Sequence, residues 1–167
     1  MEVLPDIVGP RPRIVFCGMA GAQSRRSRDH YYETPGNAFW ELLHDSGLTP
    51  TRLTPVDDGR LVEHGLGLTD LVRHPTEPPT YDVDELEAKL ERWQPEWLAF
   101  TSKGVAHAAA RVLGVRRPGL GIAHWELAGA QVFVLPGPSG ANRRHDYDGR
   151  PDRLSWWRDL AGLAGDG

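Results

Sequence analysis

The chain of 167 residues contains a single cysteine, Cys17. A lone thiol excludes an internal disulfide and any cysteine-rich zinc site. No long apolar run is present, so no membrane-spanning helix is expected, since one needs about 20 consecutive apolar residues. Met1 to Pro12 carries acids and prolines instead of the apolar centre of a signal peptide. These absences lead to the expectation of a cytoplasmic protein with no membrane partner. Positive charge is not in excess either: 19 Lys and Arg stand against 23 Asp and Glu, a net charge of −4. That balance argues weakly against nucleic acid as a partner, but phosphate meets a local face and not the mean. The arginines do gather, as Arg25, Arg26 and Arg28 and again as Arg143 and Arg144, while acids collect between Asp82 and Glu96. Each cluster by itself also reads as an ordinary solvated surface. Internal repeats and low-complexity tracts are missing, and the spacing of Gly18 and Gly21 is not the dinucleotide-binding fingerprint.

With 40% hydrophobic and 25% charged residues, the chain has the composition of a globular protein with one core. Its length fits one domain, taken as 1–167 with an extended segment over 1–12. Arg13 to Cys17 reads as a buried strand ended by Gly18, which opens a small-residue loop. Helices are expected over Asn37 to Ser46 and Val83 to Trp93, the latter with Val83, Leu86, Leu90 and Trp93 on one stripe and a Glu85–Lys89 pair on its wet side. Pro55 to His64 suggests a short helix opened by Asp57 and Asp58. Gly65 to Val72 reads as a loop entering a short extended segment, and Arg73 to Tyr81, with Pro75, Pro78 and Pro79, as a loop. Trp97 to Thr101 and Gln131 to Leu135 read as strands. Gly104 to Leu113 reads as a helix with Val105, Ala108, Ala109, Val112 and Leu113 inward, and Arg153 to Ala164 as a closing helix. Alternating strands and helices predict an α/β fold: a single-domain, three-layer α/β/α arrangement around a short central parallel sheet. In such sheets the functional loops lie beyond the carboxyl ends of the strands. The loops at Gly18, near Asp70, at Thr101 and at Pro136 would share that rim.

Phe16-Cys17-Gly18 followed by Pro35, Asn37 and Phe39-Trp40 forms a first block. Gly67 to Thr76 forms a middle block, and Val134-Leu135-Pro136, Pro138-Ser139-Gly140 and Arg143 a last one, with Thr101-Ser102-Lys103 at another strand-to-helix corner. In order and spacing these resemble the mismatch-specific uracil/thymine DNA glycosylases, across nearly the whole chain. The resemblance implies a uracil-DNA-glycosylase-like α/β domain that extrudes a deaminated base from duplex DNA and hydrolyses its bond to the sugar. The base would be uracil, hypoxanthine or mismatched thymine. Extrusion costs a few kcal/mol, and least at a mismatch. No metal and no organic cofactor is implied. The partner would be double-stranded DNA carrying a mismatched or deaminated base, bound by a monomer.

By the same resemblance, the backbone of Gly18, Met19 and Ala20 would floor the base pocket. Tyr32 would stack on the flipped base, a contact worth about 1–3 kcal/mol; its alternative is a core aromatic with a satisfied hydroxyl. Asn37 reads as a helix cap, and Phe39 and Trp40 as core. Ser139 and Gly140 would bind phosphate beside the lesion, Ala141 and Asn142 would fill the vacated hole, Arg143 would reach the opposite strand or a phosphate, and Lys103 would contact a phosphate. The chain departs from the family pattern in three places. Ala20 stands where the family has a water-holding Asn, Gly137 replaces another Asn that helps hold base or water, and Ala141 replaces a bulkier wedge. An alanine methyl cannot orient a water molecule. Asp70 is the first candidate to do so, as a carboxylate able to accept a proton and stabilise a sugar cation; capping a turn or pairing with Arg73 is its alternative role. Gln23 and Ser24 are second candidates. The three departures also keep open a non-catalytic damage-binding protein on the same fold, and a small-molecule nucleotide enzyme.

Overall fold

The computed structural model describes residues 4–21, 28–140 and 146–165. Its centre is a six-stranded sheet in the order β3-β2-β1-β4-β6-β5. The strands are β1 (Ile14–Gly21), β2 (Leu66–His74), β3 (Thr80–Tyr81), β4 (Trp97–Phe100), β5 (Gly121–Leu127) and β6 (Ala130–Val134). The four inner strands are parallel, and β3 and β5 run antiparallel at the two edges. The helices are α1 (Phe39–Asp45), α2 (Val83–Trp93), α3 (Lys103–Leu113) and α4 (Leu154–Ala164), with a 3₁₀ helix over Pro55–His64.

Side-chain alternation along the strands sorts the core into two layers. Ile14 and Phe16 of β1, Leu66 and Leu68 of β2, and Phe133 of β6 pack against α1 and α4. Val15 and Cys17, Leu98 and Phe100, and Val132 and Val134 face α2 and α3. The expected three-layer α/β/α arrangement is therefore present. In the first layer Phe16 meets Phe39 edge-on at 5.5 Å and stacks on Trp157 at 5.9 Å. Such aromatic pairs add about 0.5–1.5 kcal/mol each beyond burial.

Five readings of the sequence are corrected. Arg73 to Tyr81 is not a loop throughout: Arg73 and His74 end β2, Thr80 and Tyr81 form β3, and the two strands pair antiparallel around the intervening segment. Gly18 does not end β1: the strand runs on to Gly21 because β2 lies beside it throughout, from Ile14 opposite Leu66 to Gly21 opposite Arg73. Gly65 to Val72 does enter an extended segment as expected, but with no loop before it: Gly65, at φ +70, stops the 3₁₀ helix and β2 begins at once. β5 escaped the sequence reading although Ala128 and Gly129, both at positive φ, make the two-residue turn of a hairpin in which Leu127 faces Ala130. Val112 is exposed rather than inward, because α3 is rolled so that Ala106 and Ala110 also meet the core, as small side chains permit.

α2 and the 3₁₀ helix fall where they were expected. Asp82 accepts from the Glu85 backbone N–H at the start of α2, and Lys89 pairs with Glu85 at 2.8 Å. Asp57 caps the 3₁₀ helix by accepting from the Thr54 backbone N–H and hydroxyl.

Candidate active site

Beyond Cys17 the two flanks of β1 differ. β2 continues beside it, but pairing with β4 stops at Cys17 opposite Phe100. The Thr101 backbone N–H closes that side by donating to the Cys17 carbonyl at 3.0 Å. From Gly18 to Gly21 the strand thus pairs with β2 alone among the described residues. Its other edge opens toward the carboxyl ends of β4 and β6, where parallel sheets receive ligands.

Asp70 lies on β2 directly opposite Gly18 and is buried. A methyl group on Gly18 would stand 2.9 Å from Asp70 Oδ1, 2.9 Å from the Tyr32 hydroxyl and 3.5 Å from Thr101 Oγ1. Three polar groups therefore converge on the space that a glycine leaves. Tyr32 donates to Thr101 Oγ1 at 3.2 Å. Asp70 Oδ2 accepts from Arg28 at 3.1 Å; the expected alternative partner, Arg73, does not hold it. Asp70 sits within a strand, so it caps no turn.

Burial pushes the Asp70 carboxyl above its ordinary value, and the Arg28 guanidinium pulls the other way without cancelling the rise. Burial, and then the Asp70 charge, also raise the Tyr32 hydroxyl, which stays protonated as a donor. The Cys17 thiol is raised for the same two reasons and is no nucleophile.

The loop that presents Tyr32 is anchored residue by residue. Asp58 Oδ2 accepts from the Tyr31 backbone N–H at 3.3 Å and faces His30 Nδ1 at 3.3 Å. Tyr31 donates its hydroxyl to the Pro5 carbonyl, and its own carbonyl accepts from the Trp40 indole N–H. These contacts hold Tyr32 at φ +53, a conformation costing a bulky residue about 1–3 kcal/mol. Its ring stacks on Phe39 at 4.0 Å between centroids. Tyr32 is half-buried and packs against the core with its hydroxyl satisfied by Thr101, the arrangement that the alternative reading of this residue expected. Asn37 does not cap the following helix, whose N-cap is Ala38; its side chain accepts from the Phe39 backbone N–H at 2.9 Å and forms a turn just ahead of it.

The loop after β6 is tied to the same neighbourhood through its carbonyls. Pro138 accepts from the Ala38 backbone N–H at 2.8 Å, and Arg153 donates to Gly137 and Ser139 at 3.0 and 3.1 Å. A cavity of about 290 Å³ beside it is lined by Ser102, Lys103, Leu120, Pro136, Gly137 and Ser139, among others. Lys103, at the start of α3, pairs there with Asp148.

The structure thus brings together Gly18, Tyr32 and Asp70 at one point, and Lys103, Gly137 and Ser139 around a cavity whose lining includes none of those three. Alternation sets Ala20 on the face of Gly18 and Asp70, where it is buried. The Met19 side chain packs on the α2/α3 layer instead, so only its backbone belongs to the rim. Gln23, Ser24, Ala141, Asn142 and Arg143 lie outside the described residues. Sequence reasoning gave no role in the site to Arg28, Thr101 or Asp58. Arg28 was hidden in a surface-like cluster, and Thr101 was noted only as a corner.

A doubly wound sheet with a cavity beside the carboxyl ends of β4 and β6 defines the class: an α/β domain with an open carboxyl rim. A family model described as the uracil DNA glycosylase superfamily matches residues 5–161, and the chain belongs to that superfamily. In fold it is similar to a Methanosarcina acetivorans protein solved by solution NMR and provisionally described as a uracil DNA glycosylase. The TM-score is 0.62 at 19% identity, over 95% of this chain and 94% of that one.

Proposed function

We propose that the protein is a monofunctional, mismatch-specific DNA glycosylase, acting on uracil or another deaminated or mismatched base flipped from duplex DNA. Asp70 stands in for the missing Asn at Ala20. The observation that carries this reading is the meeting of Asp70 Oδ1, the Tyr32 hydroxyl and Thr101 Oγ1 above Gly18. Cleavage of the glycosidic bond leaves a cationic sugar and an anionic base. The ionised Asp70 carboxylate stabilises the cation and accepts a proton from the attacking water. The open edge of β1 after Cys17 presents main-chain groups to the departing base. Tyr32 offers the stacking face.

The test is single-turnover excision from duplexes carrying uracil, hypoxanthine or thymine opposite each partner base. Asp70→Asn keeps the shape and removes the charge; it is expected to slow excision by about 10²–10⁴-fold without loss of fold by circular dichroism. An unchanged rate removes Asp70 from the chemistry. The three departures from the family pattern, Ala20, Gly137 and Ala141, favour a second reading, a non-catalytic damage-binding protein on the same fold. Tight retention of a lesion duplex with no abasic product from the wild type is its signature.

A further inference from the structure

One stretch of the chain is basic and extends beyond the rim. From Trp97 to Trp125 the chain contains Lys103, Arg111, Arg116 and Arg117 and no Asp or Glu, within a protein of net charge −4. Arg111, Arg116 and Arg117 are exposed and make no ion pair with the described residues. Exposed arginines without ion-pair partners among the described residues are the electrostatic footprint by which a surface can meet a polyanion.

Its position follows from the fold. His107 lies four residues beyond Lys103 on α3, about 6 Å below the rim at 1.5 Å per residue. Its Nε2 meets the Pro118 carbonyl at 3.0 Å. The chain then climbs to the rim, where the Leu120 backbone N–H donates to Asp148 at 2.8 Å. Leu120 lines the rim cavity and also a second cavity of about 280 Å³ walled by Arg116, Arg117, His124 and Trp125. Arg117 Cα is three residues from Leu120, hence within about 11 Å of it. Phosphates recur every 3.4 Å along each strand of B-DNA, so this is the reach of about three base pairs.

We propose that Arg116 and Arg117, with Arg111 behind them, hold the phosphate backbone of the duplex arm flanking the lesion on the β5 side. This rests on the DNA-glycosylase reading above and extends the DNA path beyond the rim loops, down the flank of α3. The contacts are electrostatic and indifferent to sequence. They give affinity for long duplex without touching the chemistry.

The experiment compares wild type with Arg116→Ala/Arg117→Ala on two duplexes of the same lesion. One barely covers the rim; the other is extended by a helical turn, about 10 base pairs, on each side. Binding is titrated against salt. Losing two phosphate contacts is expected to reduce the slope of log affinity against log salt by about 2 on the long duplex, at 0.9 per phosphate. The slope on the short duplex and the single-turnover rate at saturating DNA are expected to stay as in wild type. Arg116→Lys/Arg117→Lys keeps both charges and is expected to restore the slope. An unchanged slope on the long duplex, or an equal loss on both duplexes, overturns the proposal. A wild type that binds long duplex in this manner yet excises nothing overturns the catalytic reading and leaves the flank intact. A wild type that binds no DNA overturns both.

Discussion

At the scale of single residues, the site turns on an acid kept under two opposed influences. Burial lifts the Asp70 carboxyl and Arg28 restrains the lift. A general base works only when ionised, so the restraint matters to the chemistry. In Arg28→Ala the guanidinium is gone, burial acts alone, and the Asp70 pKa rises further. Less of the carboxylate is then ionised at any pH on the acid side. The acid limb of the pH–rate profile for single-turnover excision is therefore expected to move to higher pH. Arg28→Lys is expected to bring it part of the way back. A limb that stays put, or moves to lower pH, separates Arg28 from the function of Asp70. Gly18 belongs to the same account. It carries no positive φ, so its value is the room it leaves: any side chain there would strike Asp70 and Tyr32.

At the scale of elements, two loops from distant parts of the chain are held face to face. The Ala38 N–H bonds the Pro138 carbonyl, and a methyl on Gly140 would lie 2.8 Å from the Gly36 carbonyl oxygen. Backbone meets backbone there, so Gly140→Ala must part the loops. Excision and lesion binding are expected to fall well before the melting temperature does, since the strained contact lies on the rim and not in either core layer. Gly104→Ala is the control. It lies near the same rim with only Ser102 Oγ at 3.7 Å, an ordinary contact, and in α3 alanine gains about 1 kcal/mol over glycine. It is expected to leave excision unchanged. Parity of the two variants would place the Gly140 effect outside the loop contact. The same elements show what a sequence displays of such a site. Strongly periodic helices such as Val83–Trp93 were legible because one face is buried along their full length. β2 was not: with Gly65 and Gly67 at its start and Arg73 at its end it has the composition of a loop, and only its pairing with β1 makes it a strand. Asp70 could be singled out by its place in a block resembling the family pattern. Its partner could not, since Arg28 and Asp70 are 42 residues apart and meet only once β1 and β2 are side by side.

At the scale of the whole molecule, the lone thiol is a reporter placed by the fold itself. Cys17 lies on the central strand, flanked by β2 and β4, with its side chain in the layer of α2 and α3 and no solvent exposure. Burial also raises its pKa, so the native thiol is neutral as well as covered, and only the thiolate reacts. Fraying of either sheet edge leaves it untouched, because β3 is separated from β1 by β2, and β5 by β4 and β6. Modification by a thiol reagent therefore requires separation of the parallel core, which is unfolding of the domain. In native buffer the labelling rate is expected to be below that of the unfolded chain by at least about three orders of magnitude, the lower end of ordinary domain stability. Rising urea should increase it along the curve given by circular dichroism, with a common midpoint. A rapid labelling phase in native buffer, or a midpoint well below that of the helical signal, would mean that the carboxyl half of β1 opens independently. The Gly18 segment would then lack the rigidity on which the placement of Asp70 depends.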